Sequence, residues 1–381
     1  MRQIIFAKLL LTAWADLAGL AAAAPAAQQR QQHPARGDTG AIARETPKSA
    51  IDRLNGGYYN EAQGLWSPSD PWWLTGNALH SVLDYMDATG SREYLALARN
   101  TIDRNKGVLP SWPQGAGLFR AASTDDTAWW ALALTRMYDV TGELQYLDIA
   151  VLDFEYLGGH WDASACGGGV IQELAPGREP YKNAISNALY VKLAASLAVR
   201  DPSDPQYLQR ATEGWEWFRR SGMINADGLV NDGIDAACRN NGQMTWTYNQ
   251  GAVIGALVEL SRASGDGAYL EPARAVADAV MRSPELMRGD GVLKESCEVD
   301  RGDFCNADQS SFKGIFARNL AELDRALDGN PYRDFLRKNA QVASGPGRDG
   351  DSNYGLRWAG PFVGTSMSAQ SSAVGLLVAA L

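Results

Sequence analysis

The chain has 381 residues, of which 45% are hydrophobic and 21% charged, and its formal net charge is −9. That composition supports a large buried core, and the acidity excludes a polyanion-binding surface, so nucleic acid is not an expected partner. The three histidines (His33, His80 and His160) are scattered and there is no Cys-x-x-Cys pair, so no metal or other cofactor is expected.

Residues 1–24 read as a secretory signal peptide: Arg2 is the positive start, Ile4 to Trp14 the apolar part, and Ala21 to Ala24 the small-residue cleavage region. Lys8 and Asp16 interrupt the apolar stretch, which argues against a membrane-spanning helix. Residues 25–44 are rich in Gln, Ala, Pro and Gly and are expected to form a disordered linker. Residues 45–381 are expected to be one catalytic domain, and the protein a monomer.

One punctuation recurs along that domain: a turn signal, a few residues, then a tyrosine that opens a new helical pattern. Tyr94, Tyr146, Tyr207, Tyr269 and Tyr332 are spaced by 52, 61, 62 and 63 residues. A period near sixty with a helix on either side of the turn predicts repeated helical hairpins. One set of helices is expected near 72–89, 124–141, 181–200, 245–264, 306–328 and 364–381. These carry few charges beyond the first turn and are therefore inner. The other set, near 45–58, 91–105, 143–157, 204–220, 266–282 and 330–344, is amphipathic and outer. No strand run stands out. The fold class is all-α, an (α/α)6 barrel of six inner and six outer helices.

Inner-to-outer turns are short, whereas the outer-to-inner loops 106–123, 158–180, 221–244, 283–305 and 345–363 are long. Long loops on one rim of a rigid scaffold are where binding residues collect. All four cysteines fall in these loops, and behind an export signal they are expected to form two disulfides. Of the three possible pairings, the reading taken is Cys166–Cys238 with Cys297–Cys305 as a local staple. Asp349-Gly350-Asp351-Ser352-Asn353 resembles a calcium loop, but its glycine is misplaced and Gly360 stands where the last ligand should be.

The inner helices begin on that same rim, and the richest first turn is Thr124-Asp125-Asp126-Thr127-Ala128-Trp129-Trp130, with Thr124 as the expected N-cap. Two adjacent carboxyl groups near indole faces suit glycoside cleavage, which needs one ionised and one protonated carboxyl. A pair this close fits the roughly 5–5.5 Å separation of retaining enzymes better than the roughly 6.5–9.5 Å of inverting ones. Trp72, Trp73, Trp129, Trp130, Trp246, Tyr248, Lys313 and Trp358 are candidate substrate contacts. Asn183, Asn187, Asn249 and Gln250 fit substrate contact and helix-end bonding equally well. At least one of Trp129 and Trp130 is expected to pack in the core, and Lys182 and Lys313 fit pairing with carboxylates as well as substrate contact.

Taken together, Asp125-Asp126-x-Ala-Trp129-Trp130, Cys166-Gly167-Gly168-Gly169, Lys182-Asn183-Ala184-Ile185-Ser186-Asn187, Trp246-Thr247-Tyr248-Asn249-Gln250-Gly251 and Tyr354 through Trp358 to Gly360-Pro361-Phe362 resemble glycoside hydrolase family 76. The resemblance runs from Asn55 to the C-terminus. It implies an (α/α)6 barrel, retaining endo-cleavage of α-1,6-mannan or manno-oligosaccharides, Asp125 as nucleophile and Asp126 as acid/base. It also implies an extracellular hydrolase, possible association with a fungal cell wall, and two alternatives: a wall transglycosylase or a mannan-binding barrel. Ser123-Thr124 and Val170-Ile171-Gln172 depart from the family pattern, where aromatics are common. Thr127-Ala128-Trp129-Trp130 favours hydrolysis over the transglycosylase-like pattern.

Overall fold

The computed structural model describes residues 39–299 and 302–381. The expected signal peptide lies outside them. Twelve α-helices alternate as expected. The inner set is α2 (Trp72–Thr89), α4 (Thr124–Thr141), α6 (Ala184–Arg200), α8 (Thr247–Ser264), α10 (Ala307–Ala326) and α12 (Met367–Ala379). The outer set is α1 (Thr39–Tyr58), α3 (Leu95–Asn105), α5 (Leu144–Gly158), α7 (Pro205–Arg220), α9 (Leu270–Arg282) and α11 (Arg333–Ala343). Helix α1 starts at Thr39, inside the expected linker, because Ala41, Ala43, Arg44 and Glu45 are good helix formers. The inner helices pack α2 on α4, then in order round to α12, which packs back on α2 and closes the ring. The sequence shows no strand, yet a two-residue hairpin pairs β1 (Tyr59–Asn60) with β2 (Leu65–Trp66).

Local chemistry sets the ends. Gly90, Gly142 and Gly265 stop α2, α4 and α8 with φ of 71°, 72° and 72°, values that cost glycine little. The hydroxyl just before each glycine bonds back one turn: Thr89 to Tyr85 O at 2.6 Å, Thr141 to Met137 O at 2.8 Å, Ser264 to Leu260 O at 2.7 Å. At the other end, the Asn183 side chain accepts from Ser186 N–H, which delays α6 to Ala184, three residues later than expected. Asn306 and Gln309 form a capping box on α10. Thr124 is not the cap expected of it: Ser123 takes that position, and Thr124 donates its hydroxyl to Ile171 O at 2.9 Å.

The long loops repeat as faithfully as the helices. Each of four turns back on itself through an antiparallel bridge, Trp161 with Val170, Ile224 with Val230, Met287 with Leu293, and Arg348 with Tyr354, and the second adds another, Ile234 with Asn240. The exit residues Val170, Val230, Leu293 and Tyr354 are spaced by 60, 63 and 61. A side-chain amide clamps the backbone of each. Asn187 accepts from Val170 N at 2.7 Å and donates to its carbonyl at 3.1 Å. Gln250 does the same at Val230, at 2.8 and 2.7 Å. Asn339 accepts from Leu293 N at 2.9 Å, and Gln370 from Tyr354 N at 2.8 Å. In the last hairpin Asp349 accepts from the Asp351 and Asn353 amides, so the calcium-like stretch is spent as a turn. Both disulfides form as expected, Cys166–Cys238 and Cys297–Cys305.

The interior below the rim departs from the sequence reading, which has the inner helices nearly free of charge beyond the first turn. Lys192 meets Glu322 at 2.9 Å, Arg136 meets Asp84 at 2.8 Å, and Arg318 donates to Asn77 at 2.9 Å, with all three cations little exposed. Spaced charges diluted by Ala and Leu do not register as a polar face, yet from four helices they converge on one buried network.

Candidate active site

Asp125 and Asp126 lie in the first turn of α4, half-buried at the rim. Asp125 accepts hydrogen bonds from the Ser123 hydroxyl, the Gln172 side chain, and the Asp125 and Asp126 backbone amides. Burial raises its pKa, and these donors pull it back by stabilising the anion. Asp126 lacks comparable donors and is pushed well above the usual carboxylate range, first by burial, then by the charges of Asp125, Asp308 and Glu173. Asp125 is therefore the carboxyl that ionises first and Asp126 the one that keeps its proton.

Around the pair stands a continuous aromatic wall drawn from four helices. Trp129 of α4 stacks on Trp73 of α2 with ring centres 5.8 Å apart, and Trp73 reaches Phe312 of α10 at 6.4 Å. Phe312 lies flat on Tyr248 of α8 at 3.8 Å and meets the edge of Trp246 at 5.8 Å. Trp73 Nε1 donates to Asp308 at 3.0 Å, fixing that carboxylate beside the wall. Burial and the nearby charges of Asp232, Asp125 and Asp308 keep the Tyr248 hydroxyl protonated far above its ordinary range. Asp232 accepts from Tyr181 at 2.6 Å and lies against Asn249.

Several expected contacts are placed elsewhere. Trp130 has no exposed surface; it is sandwiched between Trp72 and Phe119 at 4.8 and 4.7 Å, and the Trp72 indole is tied to Asn105 at 3.2 Å. Trp130 is core, because a 100° turn separates it from Trp129 and points it into the α2–α4 seam, whereas Trp72 stays half-buried with its indole N–H engaged by Asn105. Asn183 caps α6, while Asn187 and Gln250 clamp loop backbone, and none has surface left for a ligand. Asn249 is likewise fully buried. Lys313 is spent on Glu298 and on Leu356 O at 2.8 Å, with its charge over buried Trp358 at 4.8 Å. Lys182 pairs with Asp162 at 3.1 Å, the second of the two readings the sequence left open for it. Trp73, Trp246 and Tyr248 are the candidates that keep surface along the aromatic wall, while Trp129, 3% exposed, backs Trp73 from within. Ser123 and Gln172 stand out in the sequence only as departures from the family pattern, and Glu173 not at all, since nothing periodic ties them to the acid pair and the last two lie far along the chain from Asp125.

Helix starts converging on two adjacent carboxyl groups beside a wall of rings, at the rim of a closed double ring of helices, define a glycoside hydrolase of the helical-barrel type. The glycosyl hydrolase family 76 profile matches residues 41–381, and the chain belongs to that family. It is 27% identical over 330 residues to a mannan endo-1,6-alpha-mannosidase of Saccharomyces cerevisiae, covering 81% of this chain and 71% of that one. A Schizosaccharomyces pombe relative is 28% identical over 295 residues, which is 73% of this chain and 66% of that protein. Among solved structures, an alpha-1,6-mannanase of a Salegentibacter species superposes with a TM-score of 0.76 at 25% identity, over 89% of this chain and 98% of that one. It was solved with alpha-1,6-mannotetrose as an inactive variant with two adjacent aspartates replaced by alanine. Among the described residues no helix is long and apolar enough to cross a membrane.

Proposed function

We propose that this protein is an extracellular endo-acting hydrolase that cleaves α-1,6-mannosidic bonds in mannan with retention. The observation that carries the reading is the unequal pair: one carboxyl supplied with anion-stabilising donors beside one kept protonated. In the first step Asp126 gives its proton to the glycosidic oxygen, the C1–O bond breaks, and the Asp125 carboxylate closes on C1 to form a mannosyl ester. In the second, Asp126 takes a proton from water, which attacks C1 and releases Asp125. The aromatic wall holds the pyranose by its C–H face. Export is supported by the two disulfides, which persist in oxidising compartments.

The test is product analysis on linear α-1,6-mannan with and without a labelled acceptor oligosaccharide. Free manno-oligosaccharides in both samples support the hydrolase, with the α-anomer formed first by NMR. Label moving into longer chains with little hydrolysis would make it a transglycosylase; binding with no turnover would make it a mannan-binding barrel. Asp125→Asn should abolish turnover. Asp126→Asn should spare the first step on substrates with good leaving groups, and equal losses on activated and natural substrates would overturn the assignment.

A further inference from the structure

The segment Ile171–Leu174 is laid along the start of α4 as a short antiparallel partner. Ser123 bridges Glu173, Thr124 N donates to Gln172 O at 2.8 Å, Leu174 N donates to Ala122 O at 2.9 Å, and the Thr124 hydroxyl reaches Ile171 O at 2.9 Å. From the far side, Gln172 N donates to Tyr181 O at 2.8 Å, so the segment is held on both edges. Two consecutive residues of the chain, Gln172 and Glu173, are thereby fixed beside two consecutive aspartates.

We propose that this segment polarises the carboxyl pair: Gln172 and Glu173 are positioning residues, the first holding Asp125 as the anion by hydrogen bonding and the second holding the proton on Asp126 by its negative charge. The Gln172 amide is a donor to Asp125, and an apolar residue there would remove one of the four donors that oppose the effect of burial. Glu173 Oε1 accepts from Ala175 N at 3.0 Å, which fixes its carboxyl, and it acts on Asp126 through its charge. Other groups face the pair: Asp308 from α10 adds to the field on Asp126, and Tyr248 from α8 stands near Asp125 with Asp232 and Tyr181 behind it. Asp308 is fixed by Trp73 and acts from the opposite wall, so the segment's contribution can be removed separately.

The inference rests on the assignment of Asp126 as acid/base and is tested by the pH dependence of kcat/KM on α-1,6-mannotetraose, whose limbs report the free enzyme's two carboxyl groups. Glu173→Gln keeps the acceptor for Ala175 N–H and removes the charge. It should move the basic limb to lower pH by roughly half a unit or more, and Glu173→Asp should restore it. Gln172→Met removes the donor at nearly constant volume and should move the acid limb upward by a similar amount. Limbs that stay in place in both variants, with only thermal stability reduced, overturn the proposal by making the segment mere scaffold. Asp126→Asn, profiled beside the parent on a mannoside with a good leaving group, separates the two failures: if it abolishes the basic limb while Glu173→Gln leaves that limb unmoved, the polarising role alone is wrong. If the basic limb survives Asp126→Asn, the acid/base assignment itself is wrong.

Discussion

Neighbouring tryptophans with the same chemistry have different employments, and the division is testable. Trp130 is fully buried between Trp72 and Phe119, and Gly76 makes room for it, since a Cβ there would meet the indole at 3.3 Å. Trp130→Ala should lower stability by about 3–5 kcal/mol, the usual cost of emptying a large aromatic site, as read from denaturant unfolding. Trp73 instead keeps 9% of its surface at the rim and donates to Asp308. Trp73→Phe retains a ring and loses that donor, so it should reduce kcat/KM at least several-fold with a much smaller change in the unfolding midpoint. The reverse pattern would show that the aromatic wall is not a substrate surface. The sequence made the acid pair and its aromatic company visible, because a helix start, paired carboxyls and indoles are all local. It could not sort Asn187 and Gln250 from ligand contacts, since an amide near a helix start looks the same whether it meets a sugar or a loop. The tie of Gln172 and Glu173 to the acid pair was invisible for the opposite reason: only the fold brings them to Asp125.

At the scale of elements, the helical hairpins were legible to within a few residues, best at α2, α4 and α8, which end on a Thr-Gly or Ser-Gly stop whose geometry is fixed locally. The loops were read only as long and pinned. Their amide clamps rest on contacts between residues 16 to 46 apart, which no short-range period reports. Those clamps should govern rim order. Gln250→Leu leaves both the amide and the carbonyl of Val230 buried without partners, at a cost of about 2–4 kcal/mol for the two. The loss should register as faster amide exchange and proteolysis within 221–244, with the helices protected as before. Uniform loss of protection throughout the barrel would refute a local clamp. Reduction of Cys166–Cys238, which closes 72 residues and ties that same loop to the one before it, should loosen both loops and remove about 4 kcal/mol if the cost is mainly chain entropy. Cys297–Cys305, with a separation of 8, should remove less, about 2–3 kcal/mol.

For the molecule as a whole, buried titratable groups give stability a definite pH profile, and the signs can be worked out. Glu295 is fully buried, accepts from Thr247 N at 3.0 Å at the start of α8, and is pushed up to about 8 by burial. The unfolded chain gives up this proton near pH 4.5 and the folded one only near 8, so Glu295 favours the fold below 4.5 and its contribution is lost as pH rises through that window. Raised values at Asp126 and Asp153, both driven by burial, act in the same direction. His80 and Glu322 oppose them. His80 is buried beside Arg318 and Arg136 and is held well below its ordinary value, so the unfolded chain takes up a proton first as pH drops below about 6.5 and stability falls. Glu322, paired with Lys192 and Arg136, is lowered to about 2, and its contribution is lost as pH falls from about 4.5 toward 2. Between about pH 4.5 and 6.5 the three raised carboxyls outweigh His80, so the greatest stability falls in acidic solution, at about pH 4–5, with a decline on the alkaline side that ordinary surface carboxylates do not produce. Thermal unfolding from pH 4 to pH 9 should trace that maximum. Glu295→Gln should flatten the alkaline decline, gaining more over the parent at pH 8.5 than at pH 5, because the amide keeps an acceptor for Thr247 without a charge to bury. A maximum above pH 8, or a Glu295→Gln gain independent of pH, would show that this carboxyl is ionised in the folded protein throughout the range.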